Sequence, residues 1–184
     1  MKKLLLIAAI AIALTSCNDK SDVSSTTSST DSTANETPEA KEERNKQTAL
    51  ESIKSFDGET TVDDVFKNAD KDVIDYGNGE MPPIKGVDSS KAWLQQWLNA
   101  VPDYKGSDLE AIAEGDMVMV YGVWTGTWKN NFMGMNATNK SFKVNDVEIF
   151  KFNDAGKITE HRSIQTMGEV ARQIGMKMPS MPKN

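Results

Sequence analysis

The chain has 184 residues, 38% hydrophobic and 26% charged, which leaves room for one globular domain and little else. Its formal net charge is −6, from 21 basic and 27 acidic residues, so the basic surface of a nucleic-acid binder is missing. A single Cys excludes an intrachain disulfide, a single His excludes a multi-histidine metal site, and no apolar run is long enough to span a bilayer as a helix.

Met1-Lys2-Lys3 forms a short basic start, and residues 4–14 are an unbroken apolar run. This is the layout of an export signal, too short for a membrane helix. Leu14-Thr15-Ser16-Cys17 follows and resembles the bacterial lipobox, an apolar residue, two small ones and a Cys. The resemblance implies that the Cys17 thiol receives a diacylglycerol and becomes the new N-terminus. Residues 1–16 are then the lipoprotein signal peptide, and loss of its two lysines takes the formal charge to −8. One acyl chain binds a membrane only marginally; the two of a diacylglycerol anchor stably. The expected location is the bacterial cell envelope, with the outer membrane weakly favoured by Asn18 next to the anchor.

Residues 18–45 read NDKSDVSSTTSSTDSTANETPEAKEERN, with Val23 the only large aliphatic residue and no aromatic. Such a segment buries too little apolar surface to offset its ordering entropy. The expectation is a lipidated Cys and disordered tether over 17–45, spanning roughly 30 Å as a flexible coil, with the folded domain over 46–184.

Ala49, Ile53 and Phe56 recur at helical spacing before Asp57-Gly58. Thr61 can cap a second helix, with Asp63 and Asp64 in its first turn and Val62, Val65, Phe66 and Ala69 on its apolar side. Residues 72–76 read as a short strand. A third helix, capped by Asp88 or Ser89, carries the stripe Trp93, Leu94, Trp97, Leu98 and Val101 and stops at Pro102. Strands follow at residues 109–113, 117–128, 141–152 and 157–165, the last two joined by an Asn153-Asp154-Ala155-Gly156 hairpin. Alternation sets Val118, Val120, Trp124 and Trp128 on one face and Met117, Met119, Tyr121 and Val123 on the other. A short helix over 169–174 closes the pattern, an α+β domain with its helices on one sheet face.

This order, with several local motifs, is similar to the SnoaL-like branch of the nuclear-transport-factor-2-like superfamily. The motifs are Ala113-Glu114-Gly115-Asp116-Met117-Val118, Thr125-Gly126-Thr127-Trp128, the loop of residues 132–140, Glu148-Ile149-Phe150-Lys151-Phe152, Gly156-Lys157-Ile158-Thr159-Glu160-His161 and Arg172-Gln173-Ile174-Gly175. The resemblance implies a cone-shaped domain in which a curved antiparallel sheet wraps the N-terminal helices around a pocket. Such a fold hosts enzymes and non-enzymes alike.

His161 is the one side chain ready to exchange protons near neutrality, and it matches the family's strand histidine. The cyclase members carry an Asp a few residues further on; here Thr166 stands near that place. Arg162 with Asp75 and Glu148 has the residue types of the family's epoxide-hydrolase set, but alternation puts Arg162 and His161 on opposite faces. Asp75, Tyr76 and Tyr104 have the types of an isomerase site. The expectation is therefore His161 and Asp75 as catalytic candidates, with Trp97, Tyr104, Trp124, Trp128, Glu148 and Arg162 around a small, largely apolar molecule. No cofactor is expected. The methionine pairs 117/119, 133/135 and 176/178 offer thioether ligands, but they fall on a strand, a loop and the tail, and no metal site is expected from them. The alternatives are a proton-transfer enzyme (isomerase, cyclase or hydrolase) and a non-catalytic module that dimerises or binds a partner through Met119, Tyr121 and Val123.

Overall fold

A computed structural model describes residues 36–54, 61–165 and 167–177. The signal peptide, Cys17, most of the tether, Phe56, Thr166 and Met178 lie outside the described residues.

Helix α1 runs Pro38–Lys54. It starts eight residues before residue 46, where the composition changes. Thr37 Oγ1 accepts the Ala40 N–H at 3.2 Å, Pro38 occupies the first turn and Glu39 faces the helix N-terminus. Polar contacts dock this first half where composition offers no apolar stripe. Glu42 accepts the Gly115 N–H at 2.7 Å, and Lys41 reaches Asp154 at 2.7 Å. Further on, Asn45, Ala49, Ser52 and Ile53 form the buried stripe.

Thr61 caps α2, Val62–Val65, in a capping box with Asp64. The helix is a single turn. Ala69, expected on its apolar side, instead opens strand β1, Ala69–Asp75. Strand β2, Ile84–Lys85, leads into α3, Val87–Ala100. The cap of α3 is Gly86, not Asp88 or Ser89. Gly86 has φ +86°, donates its N–H to Val73 O and accepts from Ser90 N–H, so the helix start is tied to β1 through backbone that favours glycine.

Strands β3 (Lys105–Glu114), β4 (Met117–Thr127), β5 (Ser141–Phe152) and β6 (Ile158–Ser163) precede α4, Met167–Ile174. They form one curved six-stranded sheet in the order β2-β1-β6-β5-β4-β3. All neighbours are antiparallel except β1 and β6, which run parallel. Where β5 runs on past β6, the Gln173 side chain of α4 donates to Lys143 O and accepts from Lys143 N–H, covering a free strand edge.

Alternation sends Val118, Val120 and Trp124 of β4 and Phe142, Val144, Phe150 and Phe152 of β5 inward. They meet Ala49 and Ile53 of α1, Ala100 and Val101 at the end of α3, and Val170, Ala171 and Ile174 of α4. Each large side chain buried this way contributes about 1.5–3 kcal/mol. Met117, Met119 and Tyr121 point outward and are exposed. Among the described residues, no helix is long and apolar enough to cross a membrane.

Candidate functional site

The same alternation that builds the core carries two carboxylates to the inner face. In β5 the inward series is Phe142, Val144, Asp146, Glu148, Phe150 and Phe152. Phe150 pairs with His161 of β6, and His161 pairs with Asp75 of β1. Three adjacent strands therefore place three polar side chains in one patch. His161 Nδ1 lies 2.9 Å from Asp75 Oδ1, and His161 Nε2 lies 2.8 Å from Glu148 Oε2. The Gly77 N–H donates to Asp75 Oδ1 at 2.8 Å, and the Phe150 ring lies 5.1 Å from the imidazole, tilted by 35°.

The electrostatics follow from this geometry. Burial alone would lower the pKa of His161. Hydrogen bonds and charge from Asp75 and Glu148 outweigh it and raise the pKa to about 10. Near neutral pH the ring is thus an imidazolium donating both N–H groups. Burial pushes Asp75 up, but its bonds to His161 and Gly77 hold it below its ordinary value. Glu148 goes the other way: burial raises it, aided by the Asp146 and Asp75 charges, and His161 only partly offsets this. The three side chains remain 28%, 20% and 11% exposed, for His161, Asp75 and Glu148 in turn.

A cluster of aromatic rings also packs against the core on the inner side of the sheet. Trp97 of α3 meets Tyr104, Phe132 and Phe142 at centroid distances of 5.9, 5.5 and 6.1 Å. The Tyr104 hydroxyl is pushed well up by burial and by the Glu148 and Asp146 charges, so this cluster lies within electrostatic reach of the carboxylates. Trp97 is half-buried. Trp124 and Trp128 are not: at 2% and 1% exposure they fill the core, and neither offers open surface to a ligand. Trp124 packs on the bare backbone of Gly122, where an added Cβ would come within 2.8 Å of the indole.

Arg162 stays apart from Asp75 and Glu148. Its guanidinium lies 3.7 Å over the Tyr76 ring and bonds Glu160 at 3.3 Å. The two carboxylates expected around an arginine are taken by His161, because β6 turns Arg162 to the opposite face. Sequence reasoning missed Asp146. It accepts from Ser163 Oγ at 2.7 Å and from the N–H groups of Ile164 and Gln165 at 3.1 and 2.7 Å, fixing the turn out of β6. Its even spacing with Glu148 in an alternating strand was the available signal. Among the described residues, no group of three or more His, Cys, Asp or Glu side chains is placed to hold a metal ion. On the outer face, a depression of about 380 Å³ is lined by Tyr121, Asn145 and Val147 with Ile164, Gln165 and Glu169.

This patch has one fixed cation between two carboxylates of opposite tuning. His161 cannot take up a proton near neutral pH. Of the two carboxyls, Glu148 is the one whose pKa burial raises, and no hydrogen bond from the described residues occupies its second oxygen.

A comparison with curated proteins gives no match. Solved structures share the fold. One, described as a SnoaL-like polyketide cyclase from Jannaschia sp., has a TM-score of 0.66 at 21% identity, covering 75% of this chain and 95% of its own. Another, described as a polyketide cyclase from Xanthomonas campestris, has a TM-score of 0.66 at 18% identity, covering 73% and 98%. A third, from Catenulispora acidiphila, has a ketosteroid isomerase-like fold and is in complex with trimethylamine; its TM-score is 0.60 at 14% identity, covering 71% and 94%. At these identities the likeness speaks for the fold alone. The family model of SnoaL-like polyketide cyclases matches residues 47–174, more than half of the chain, and the protein therefore belongs to the SnoaL-like family.

Proposed function

We propose that the protein is a lipid-anchored component of the cell envelope whose SnoaL-like domain binds a small molecule with a largely apolar body. The observation that carries this reading is the Asp75–His161–Glu148 chain, which lies within electrostatic reach of Tyr104 and so of the ring cluster around the half-buried Trp97. An apolar body against aromatic rings, with one polar end on a partly open hydrogen-bonding group, is the usual composition of a small-molecule site. Cys17 supplies the anchor through its lipid. Mass spectrometry of the protein extracted gently from its own membranes tests the reading: a co-purifying small molecule supports it, and a protein that never carries one counts against it.

A second reading is a proton-transfer enzyme with Glu148 as the base. It is favoured by the raised pKa of that carboxyl and by the imidazolium that holds one of its oxygens. Here Asp75 fixes the ring and His161 is a positioning residue. Steady loss of a carbon-bound proton to solvent, followed by deuterium exchange into the co-purified molecule, separates an enzyme from a carrier. The exposed Ile112, Met119 and Tyr121 of the outer sheet face support a homodimer contact, which sedimentation measures.

A further inference from the structure

The described side chains of the inner patch are unbalanced in charge. His161 is the one cation that touches it, while Asp75, Glu148 and Asp146 bring three carboxylates. The group is thus net negative even with its imidazolium fully protonated. Asp146 is committed to Ser163 and to three backbone N–H groups. Glu148 is not: the residue is 9% exposed, His161 takes Oε2, and no described donor reaches Oε1. Likewise His161 and Gly77 both converge on Asp75 Oδ1, leaving Oδ2 without a described donor. Two carboxylate oxygens that no described donor reaches flank a ring whose own N–H groups are spent. Arg162, the nearest arginine in sequence, is held on the other face by Tyr76. Tyr104, packed with Trp97 and Phe142, lies within electrostatic reach of Glu148 and Asp146, and the face of such a ring attracts a cation through its quadrupole.

We infer that the site selects a ligand whose polar end is a positively charged amine. An ammonium group donates N–H to Glu148 Oε1 and Asp75 Oδ2, reduces the excess negative charge and lies against the aromatic rings. A carboxylate or phosphate end meets like charge. This inference rests on the reading that the domain binds a small molecule, and it deepens that reading by naming the charge of the ligand's head.

The test uses three probes with one aromatic body and three head charges: benzylammonium, benzyl alcohol and benzoate, titrated calorimetrically into the full chain at pH 7. Benzylammonium and benzyl alcohol are nearly isosteric, so their difference reads charge. The expected result is at least a tenfold preference for benzylammonium over benzyl alcohol, with benzoate weakest. In Glu148→Gln the preference should fall to within about threefold, while Arg162→Gln, which leaves the patch intact, keeps it. Equal binding of the cation and the alcohol, or tighter binding of benzoate, overturns the amine assignment but leaves a binding domain. Failure of all three probes to bind also overturns it, and the co-purification experiment then decides separately whether the domain binds any small molecule.

Discussion

His161 Nε2 stands 2.8 Å from Glu148 Oε2, on the diagonal of the β5–β6 ladder and not at the directly opposite position, which Phe150 holds. With Asp75 on Nδ1, this pairing moves the ring's titration out of the neutral range, to about 10. The unfolded value is about 6.5. A folded pKa raised above the unfolded one gives stability that is fully present below pH 6.5 and is lost as pH rises through 10. Nuclear magnetic resonance of the single histidine should show a midpoint far above 7. The stability difference between wild type and His161→Gln should shrink steadily between pH 6.5 and 10. A midpoint near 6.5, or a difference that does not change with pH, contradicts the imidazolium.

Removing the ring altogether leaves two carboxylates facing each other with no cation between them. His161→Ala should therefore cost about 3 kcal/mol, the lower end of what breaking a buried ion pair costs, because the ring is 28% exposed. Asp75 and Glu148 in that variant should both take up protons at higher pH than in wild type. Glu148→Gln keeps a hydrogen-bond acceptor for Nε2 and should cost less. Urea midpoints at pH 7 rank the variants; an alanine variant as stable as wild type shows that the chain is not coupled.

How much of this is legible from residues alone depends on what holds each part in place. Alternation along β4 and β5 is legible because apolar side chains report the inner face directly. The same alternation places Glu148 inward, and with pairing to β6 it brings His161 to the same face. What the residues do not report is the parallel β1–β6 pairing, a contact between strands more than eighty positions apart, which brings Asp75 to Nδ1. Without it, the residues do not decide whether Asp75 partners His161 or Arg162. The first half of α1 is hidden for a related reason. Its contacts are hydrogen bonds and ion pairs with two turns, and these leave no hydrophobic period.

Trp124 and Trp97 should separate by experiment. Trp124 is 2% exposed and packs against Gly122, so Trp124→Ala should cost about 3–5 kcal/mol through lost contacts and an unfilled cavity. Trp97 is half-buried and should cost less, while its loss should weaken benzylammonium binding. Denaturation midpoints and probe titrations on the two variants check both halves. Equal destabilisation assigns Trp97 to the core as well.

Cys17→Ser should abolish labelling by a radioactive fatty acid and release the protein from membranes, because the chain has no other thiol. Fractionation after metabolic labelling reads both effects. A wild-type protein that takes up no label refutes the anchor, whatever its location.

The start of the folded domain is open to a direct test. A chain beginning at residue 46 follows the composition boundary; one beginning at Ser32 keeps all of α1. The shorter chain loses the Thr37 cap, the Glu42 bond to the Gly115 N–H and the fully buried Asn45. A hydrogen bond to a charged group contributes about 1.5–3 kcal/mol and a cap about 1 kcal/mol. The Glu42 bond lies at the exposed turn and belongs at the low end of its range. The Lys41–Asp154 pair adds nothing to this figure, because Asp154 is fully exposed. The expected difference is therefore about 2.5 kcal/mol in favour of the longer chain. Amide exchange at Gly115 should also quicken in the shorter one, since its N–H loses its acceptor. Equal denaturation midpoints, with unchanged protection at Gly115, would mean that the first turns of α1 rest on the domain without stabilising it.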